Sequence, residues 1–195
     1  MKIMQRKMPQ PMDRGVSSGK LASAGTNGVG SPQHVAAIYF QSKTGARFGL
    51  VPYRGGAPAL QDLLAGQIDL IFAAAADAVA LVRGGGIKAY AVMAKNRIAA
   101  APDIPTVDEA GMPEVYMSSW RGFWAPARTP KGVIAKLNAA AIEALANPTV
   151  RARLAAIGQE IFPPDQQTPE ALGAFHKAEI EKWWPILKAA NIRGE

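Results

Sequence analysis

The sequence contains no cysteine. That absence excludes a disulfide framework, a zinc–thiolate site and a thiol nucleophile. It leaves the compartment open, because cysteine-free chains suit both the cytoplasm and export compartments. Histidine is almost as scarce: only His34 and His176 occur, far apart in sequence. No His/Asp/Glu cluster has metal-ligand spacing, so neither a metal nor another cofactor is expected. Long apolar runs are missing too. Nothing approaches the ~18 continuous apolar residues of a membrane span, so the chain is not expected to cross a membrane. The basic N-terminus is followed by no apolar run, so no signal peptide is expected in the chain as it stands.

Acidic residues are the minority, 15 against 22 basic ones, for a net charge of +7. Lys2, Arg6, Lys7, Arg14 and Lys20 against Asp13 place +4 of that excess in the first 20 residues. The other 175 residues carry only +3, ordinary for a globular domain. A basic balance raises nucleic acid as a partner, but here it belongs to a Met- and Pro-rich head without apolar rhythm. Residues 1–18 are therefore expected to be an irregular basic leader, and no nucleic-acid partner is expected. With 49% hydrophobic and 19% charged residues, the rest is neither disordered nor collagen-like.

From Gly19 the pattern changes. A Gly-rich turn, Gly25-Thr26-Asn27-Gly28-Val29-Gly30, runs into Ser31-Pro32, after which Val35, Ile38 and Tyr39 recur at helical spacing as far as Gly45. Ser31 suits an N-cap, and Pro32 suits the first helical position, where a missing N–H costs nothing. The same start recurs at Thr129-Pro130, Asn147-Pro148 and Thr168-Pro169, so four helix starts are predicted. Strand-length apolar runs lie at Phe48–Val51, Ile68–Phe72, Ala89–Met93 and Tyr116–Ala125. Helical segments at Ala57–Ala65 and Asp77–Arg83 separate several of them. Alternating strands and helices predict an α/β fold around a mostly parallel sheet. Beyond Ala127 the pattern is helical, and Leu172, His176, Ile180, Trp183 and Leu187 mark the last helix. His176 is thereby expected to be a packed, hydrogen-bonded core residue.

Two motifs invite enzymatic readings. Gly15-Val16-Ser17-Ser18-Gly19 fits the G-x-S-x-G elbow of serine hydrolases, but that elbow needs an apolar strand before it, and a polar, Pro-broken leader stands there. Gly15 to Lys20 is one residue short of a phosphate loop. Nothing assembles a nucleophile, a base and an orienting group, so no enzyme is expected. The informative feature is the Gly turn. A helix N-terminus offers unpaired N–H groups and the positive end of the dipole, and glycines let a ligand approach the backbone. Taken alone, the glycines serve equally well as a tight strand-to-helix turn. A second loop, Val51-Pro52-Tyr53-Arg54-Gly55-Gly56, repeats strand, Gly turn and helix start. Two such turns point to a ligand crevice at strand carboxyl ends.

The stretches GKLASAGTNGVGSPQHVA (19–36), VPYRGGAPALQDLLAGQIDLIF (51–72), IPTVDEAGMPEV (104–115) and SSWRGFWAPARTPKGVIAKLN (118–138) resemble the extracytoplasmic solute-binding receptors of tripartite tricarboxylate transporters, the Bug proteins. The tail from Asn147 is similar too. The resemblance implies a type II periplasmic-binding-protein-like fold, with one complete lobe plus the C-terminal part of the other. It implies a second, ligand-gripping lobe at 19–119 and the returning, mostly helical part of the first lobe at 120–195. The ligand is a small carboxylate, a di- or tricarboxylate or an aromatic acid, held without catalysis. The grip falls at Gly28, Gly30, Ser31, Gln33 and His34, with Tyr53 and Gly55 nearby. The implied partners are the transporter's membrane permease subunits, and the implied location is the periplasm; without a signal peptide the cytoplasm stays open.

Two departures accompany the resemblance. Family members commonly carry an acidic or amide pair just after the strand ending at Phe72, where Ala73 and Ala74 stand here. The family's N-terminal segment has no counterpart, which implies a truncated receptor, functional or not. Two alternatives come from other classes: the effector-binding domain of a transcriptional regulator, which shares the two-lobed architecture, and a hydrolase using Ser17.

Overall fold

A computed structural model of the chain describes residues 2–5, as backbone, and residues 21–192. Five strands form one sheet: β1 (Lys2–Gln5), β2 (Ala22–Thr26), β3 (Phe48–Pro52), β4 (Leu70–Ala73) and β5 (Lys88–Val92). Their spatial order is β3-β2-β4-β1-β5. β2 runs parallel to both β3 and β4, while β1 pairs antiparallel with β4 and β5. The expected α/β fold with a mostly parallel sheet is thus present. The helices are α1 (Pro32–Thr44), α2 (Gly56–Ala65), α3 (Ala75–Arg83), α4 (Lys131–Ala146), α5 (Pro148–Ala156) and α6 (Pro169–Ala189).

The pleat of β4 shows how the sheet divides the core. Successive side chains on a strand point to opposite faces. Leu70 and Phe72 join the cluster under α1, with Val35, Tyr39 and Phe40. Ile71 and Ala73 join the opposite cluster, with Ala59, Leu60 and Leu63 of α2 and Ala78 of α3. All four β4 residues are buried, as a central strand covered on both faces requires.

Three of the four predicted helix starts are capped as expected. Ser31 accepts from the His34 N–H, Asn147 from those of Thr149 and Val150, and Thr168 from that of Ala171. The fourth differs: α4 begins one residue later, with Pro130 at the cap position and no side-chain cap bond. The Thr129 N–H instead donates to the Pro126 carbonyl at 2.9 Å.

Two further readings need correction. Lys2–Gln5, within the leader expected to be irregular, is a strand seated between β4 and β5. Residues 6–20, including the Gly15–Gly19 elbow and Ser17, lie outside the described residues. Tyr116–Ala125 is not a strand. Val115 and Met117 are buried on either side of a half-buried Tyr116, and the Met117 N–H reaches the Met93 carbonyl at 3.0 Å. The chain alternates like a strand there but leaves the sheet after this bond, before a ladder can form.

The core ends where that segment leaves. The buried hydrophobic residues lie between Ala24 and Met117. α4, α5 and α6, of 16, 9 and 21 residues, contain no buried residue. His176 is therefore not a core residue. It is half-buried, with its ring centroid 4.7 Å from that of Trp124 and 6.0 Å from that of Trp120.

Candidate functional site

β2, β3 and β4 are parallel neighbours, and each runs within a few residues into a helix: β2 into α1, β3 into α2, β4 into α3. Three helix N-termini therefore gather at one edge of the sheet, outside the strand carboxyl ends. Their dipoles add positive potential there without any buried Lys or Arg.

The turn from β2 into α1 is built by glycine and serine. Gly28 and Gly30 have φ of +113° and +77°, which L side chains rarely adopt. The Ser31 N–H donates to the Gly28 carbonyl at 3.2 Å, closing the turn. Ser31 Oγ then accepts from the His34 N–H at 3.2 Å. Pro32 fills the first helical position, and Gln33 and His34 point inward, 7% and 9% exposed.

The β3–α2 loop is pinned against this turn. Thr26 pairs with Pro52, and the Tyr53 N–H donates to the Thr26 carbonyl at 2.9 Å. Gly56 lies against the Asn27 carboxamide, so closely that a Cβ there would sit 3.2 Å from Asn27 Nδ2 and 3.3 Å from Oδ1. Gly55, with φ of +106°, stands at the α2 cap position without a side-chain cap bond. Ala74 stands likewise at the start of α3. The seven residues expected from the sequence thus lie in two adjoining loops (Gly28, Gly30, Ser31, Tyr53 and Gly55) and in the first turn of α1 (Gln33 and His34).

Within that arrangement Tyr53 holds a different position from the one its side chain suggests. Its hydroxyl donates to Asp62 Oδ2 at 2.7 Å. Loss of solvent, with the bond to Asp62 and its charge, pushes the phenol up to about 12, so it stays protonated. Its polar tip is held by α2. Arg54, beside it, is exposed.

The residues that sequence reasoning missed are Thr26 and Asn27. Three buried side-chain atoms among the described residues have no hydrogen-bond partner: Thr26 Oγ1, Asn27 Oδ1 and His34 Nδ1. All belong to the β2–α1 turn and the helix it starts. Buried polar atoms are ordinarily satisfied, and each orphan costs about 1–3 kcal/mol. Clustered within nine residues, at the end of β2 and the start of α1, they form the polar part of a candidate cradle. Burial lowers the pKa of His34, so its imidazole is neutral near pH 7. The signal was legible in part, since Thr26 and Asn27 are polar residues between a run of small residues and the Gly turn. Among the described residues, no group of three His, Cys, Asp or Glu could hold a metal ion. The cradle therefore offers helix N–H groups and the Thr26 hydroxyl as neutral donors to a small anion, while Asn27 Oδ1 is an acceptor that takes a donor such as water.

A cleft of about 360 Å³ adjoins Gly30 and Pro32 and runs along α6, lined by Trp120, His176, Ile180 and Trp184 among others. Glu179 on its wall accepts from both the Trp183 and Trp120 indole N–H groups, at 2.9 and 3.3 Å.

Comparison with known proteins gives one consistent picture. The sequence profile of the tripartite tricarboxylate transporter family receptors (TctC) matches residues 14–192. A UPF0065 protein from the TAR-I ttuE-ttuC' intergenic region of Agrobacterium vitis is 37% identical over 167 residues, covering 86% of this chain and 48% of its own. The structure of MatC from Rhodopseudomonas palustris with bound malate superposes with a TM-score of 0.86 at 32% identity, over 95% of this chain and 65% of that one. The periplasmic binding protein BugD superposes with a TM-score of 0.87 at 30% identity, over 100% of this chain and 67% of that one. The chain thus spans about half the length of the curated relative and about two-thirds of the solved chains.

Proposed function

Because the chain belongs to the tripartite tricarboxylate transporter receptor family, we propose that it binds a small carboxylate at the β2–α1 turn, for delivery to the transporter's membrane subunits. The single observation that carries this reading is the trio of buried orphans, Thr26 Oγ1, Asn27 Oδ1 and His34 Nδ1, clustered at the end of β2 and the start of α1. Helix N–H groups receive a carboxylate without a counter-charge. The Thr26 hydroxyl then donates to it, and Asn27 and His34 hold ordered water or a ligand hydroxyl. Gly28, Gly30, Ser31, Gln33, Tyr53 and Gly55 shape the cradle around it. Binding is the whole of the activity, with no chemical step. The ligand is a di- or tricarboxylate or an aromatic acid; bound malate in MatC supports the first of these. Residues 19–119, with β1 seated in their sheet, form the gripping lobe, and 120–195 form the returning part of the other. The working location is the periplasm, as for BugD. Among the described residues, no helix is long and apolar enough to cross a membrane.

A thermal-melt series with malate, citrate and benzoate tests this. Ligand at a hundred times its Kd stabilises the folded state by about 2.7 kcal/mol, a rise of about 5–10 °C in Tm for a domain of this size. At least one acid should give a saturable rise, and Ser31→Ala should reduce it. No rise with any acid, from a sample with a cooperative melt, would overturn the proposal for this chain.

A further inference from the structure

The cleft that adjoins the cradle has walls of one chemical kind. Gly30, Pro32 and Val35 line it from the β2–α1 turn and α1, and Trp120, Ile180 and Trp184 from the facing segments. Tyr39 of α1 and Trp183 of α6 meet edge to face at 5.2 Å between ring centroids, which ties the two helices together beside it. A volume of about 360 Å³ and an aromatic lining with few polar groups suit a small molecule. Gly30 belongs to cleft and cradle alike. No Lys or Arg stands among the described residues that line the cleft. Its acidic group is Glu179, held at the wall by the indole N–H groups of Trp183 and Trp120, which donate to it at 2.9 and 3.3 Å. Lys182 lies over the Trp183 ring, 4.7 Å from its centroid, and is not part of the lining.

We propose that the acid bound by this chain carries one carboxylate and an aryl body, the carboxylate at the cradle and the ring in the cleft, with Glu179 as the residue that excludes a second carboxylate. The proposal rests on the carboxylate reading of the cradle and names the class of acid. A flat ring gains from burial against Trp120 and Trp184 and from edge or offset stacking on their faces. A second carboxylate on that ring would enter a cleft without a cation, beside a fixed anion, where lost solvent and like charge both oppose it. The end of β4 agrees with this. It runs through Ala73 into Ala74 and Ala75, all three buried at the start of α3, and offers no polar side chain there. The malate bound by MatC is that protein's ligand; in this chain malate has no ring for the cleft and uses the cradle alone.

The test compares acids of one shape on the full chain, at about pH 8, above the ordinary histidine value. 4-Methylbenzoate carries a methyl group where terephthalate carries its second carboxylate, and malate lacks the ring. Calorimetry gives the affinities. Tryptophan emission reports on the cleft, because Trp120, Trp183 and Trp184, three of the four tryptophans, line it. 4-Methylbenzoate should bind about tenfold or more tightly than terephthalate or malate, with a saturable change in emission. Glu179→Gln, which keeps an oxygen acceptor for both indoles, should narrow the gap between the two aryl acids about threefold or more and leave malate unchanged. Trp184→Ala, at a side chain 59% exposed, should weaken 4-methylbenzoate about fivefold and spare malate. The ligand comparison in the unaltered chain stands on its own if a variant fails to fold. Terephthalate or malate binding as tightly as 4-methylbenzoate would overturn the proposal and leave the carboxylate reading standing. So would a gap that Glu179→Gln leaves unchanged, or binding of 4-methylbenzoate without any change in emission. No binding by any of the three acids, from a sample with a cooperative melt, would overturn the carboxylate reading and this proposal with it.

Discussion

At the scale of single residues, Ser31 and His34 are where the proposed binding meets the stability of α1. Ser31 Oγ caps α1 through the His34 N–H, so Ser31→Ala should cost about 1 kcal/mol in a urea melt as well as weaken the thermal response to acids. An unchanged midpoint would mean that the turn holds without its cap. His34 has its pKa lowered by burial. The unfolded chain therefore takes up a proton at higher pH than the folded one. Stability from this group is fully present above about 6.5, the ordinary histidine value, and is lost as pH falls through that value to the folded one. A bound carboxylate beside the imidazole works in the opposite direction and draws a proton in. Acid binding should therefore tighten from pH 7.5 to 5.5, and His34→Gln should flatten that slope in calorimetry. Equal slopes in both proteins would remove His34 from the ligand's neighbourhood. Neither effect was visible in the letters alone. A lone histidine in a first turn reads as a contact residue, and only the fold makes Nδ1 an orphan.

Individual elements carried unequal signals. The caps at Ser31, Asn147 and Thr168 are local chemistry and are present as read. β3, β4 and β5 are apolar runs of the right length and are present, with ends shifted by a residue or two. β2 is poorly marked because it consists of small residues. At Gly25 the structure shows tight packing: a Cβ would lie 2.6 Å from Ile68 Cδ1, so a side chain there would have to displace the tip of Ile68. β1 is weaker still, four residues whose strand character comes from partners about 65 to 90 positions away. Tyr116–Ala125 has strand-like alternation and lacks a ladder, which no local pattern reveals. Thr129 has the right residue type, but α4 starts at Lys131 and puts Pro130, not Thr129, at the cap position. At this scale β4 is the strand to perturb. Phe72 is fully buried between Phe40 and Phe48, at 5.6 and 6.2 Å between ring centroids. Phe72→Ala should cost about 3–5 kcal/mol in denaturant unfolding. A loss below 1 kcal/mol would mean that the sheet is not the centre of the fold.

For the whole molecule, the division lies in burial. Residues 21–117 hold the buried hydrophobic core, and residues 118–192 contribute helices without buried residues. Hydrogen exchange should show slow amides in β2, β4 and α1 and markedly faster exchange in α4 and α5. Uniformly slow exchange across both parts would contradict this division. The cradle sits wholly in the well-packed part, on rigid strand ends. The binding proposed for it uses neutral donors, and so makes no use of the +7 charge that first suggests nucleic acid. The measurement that bears most directly on the central claim is an amide-resolved NMR titration of the full chain with malate. The account predicts that the largest shifts fall on the N–H groups of Gly28, Gly30, Ser31 and His34 and on the His34 ring. Saturable shifts confined to another part of the molecule, or none at millimolar malate, citrate and benzoate, would contradict it.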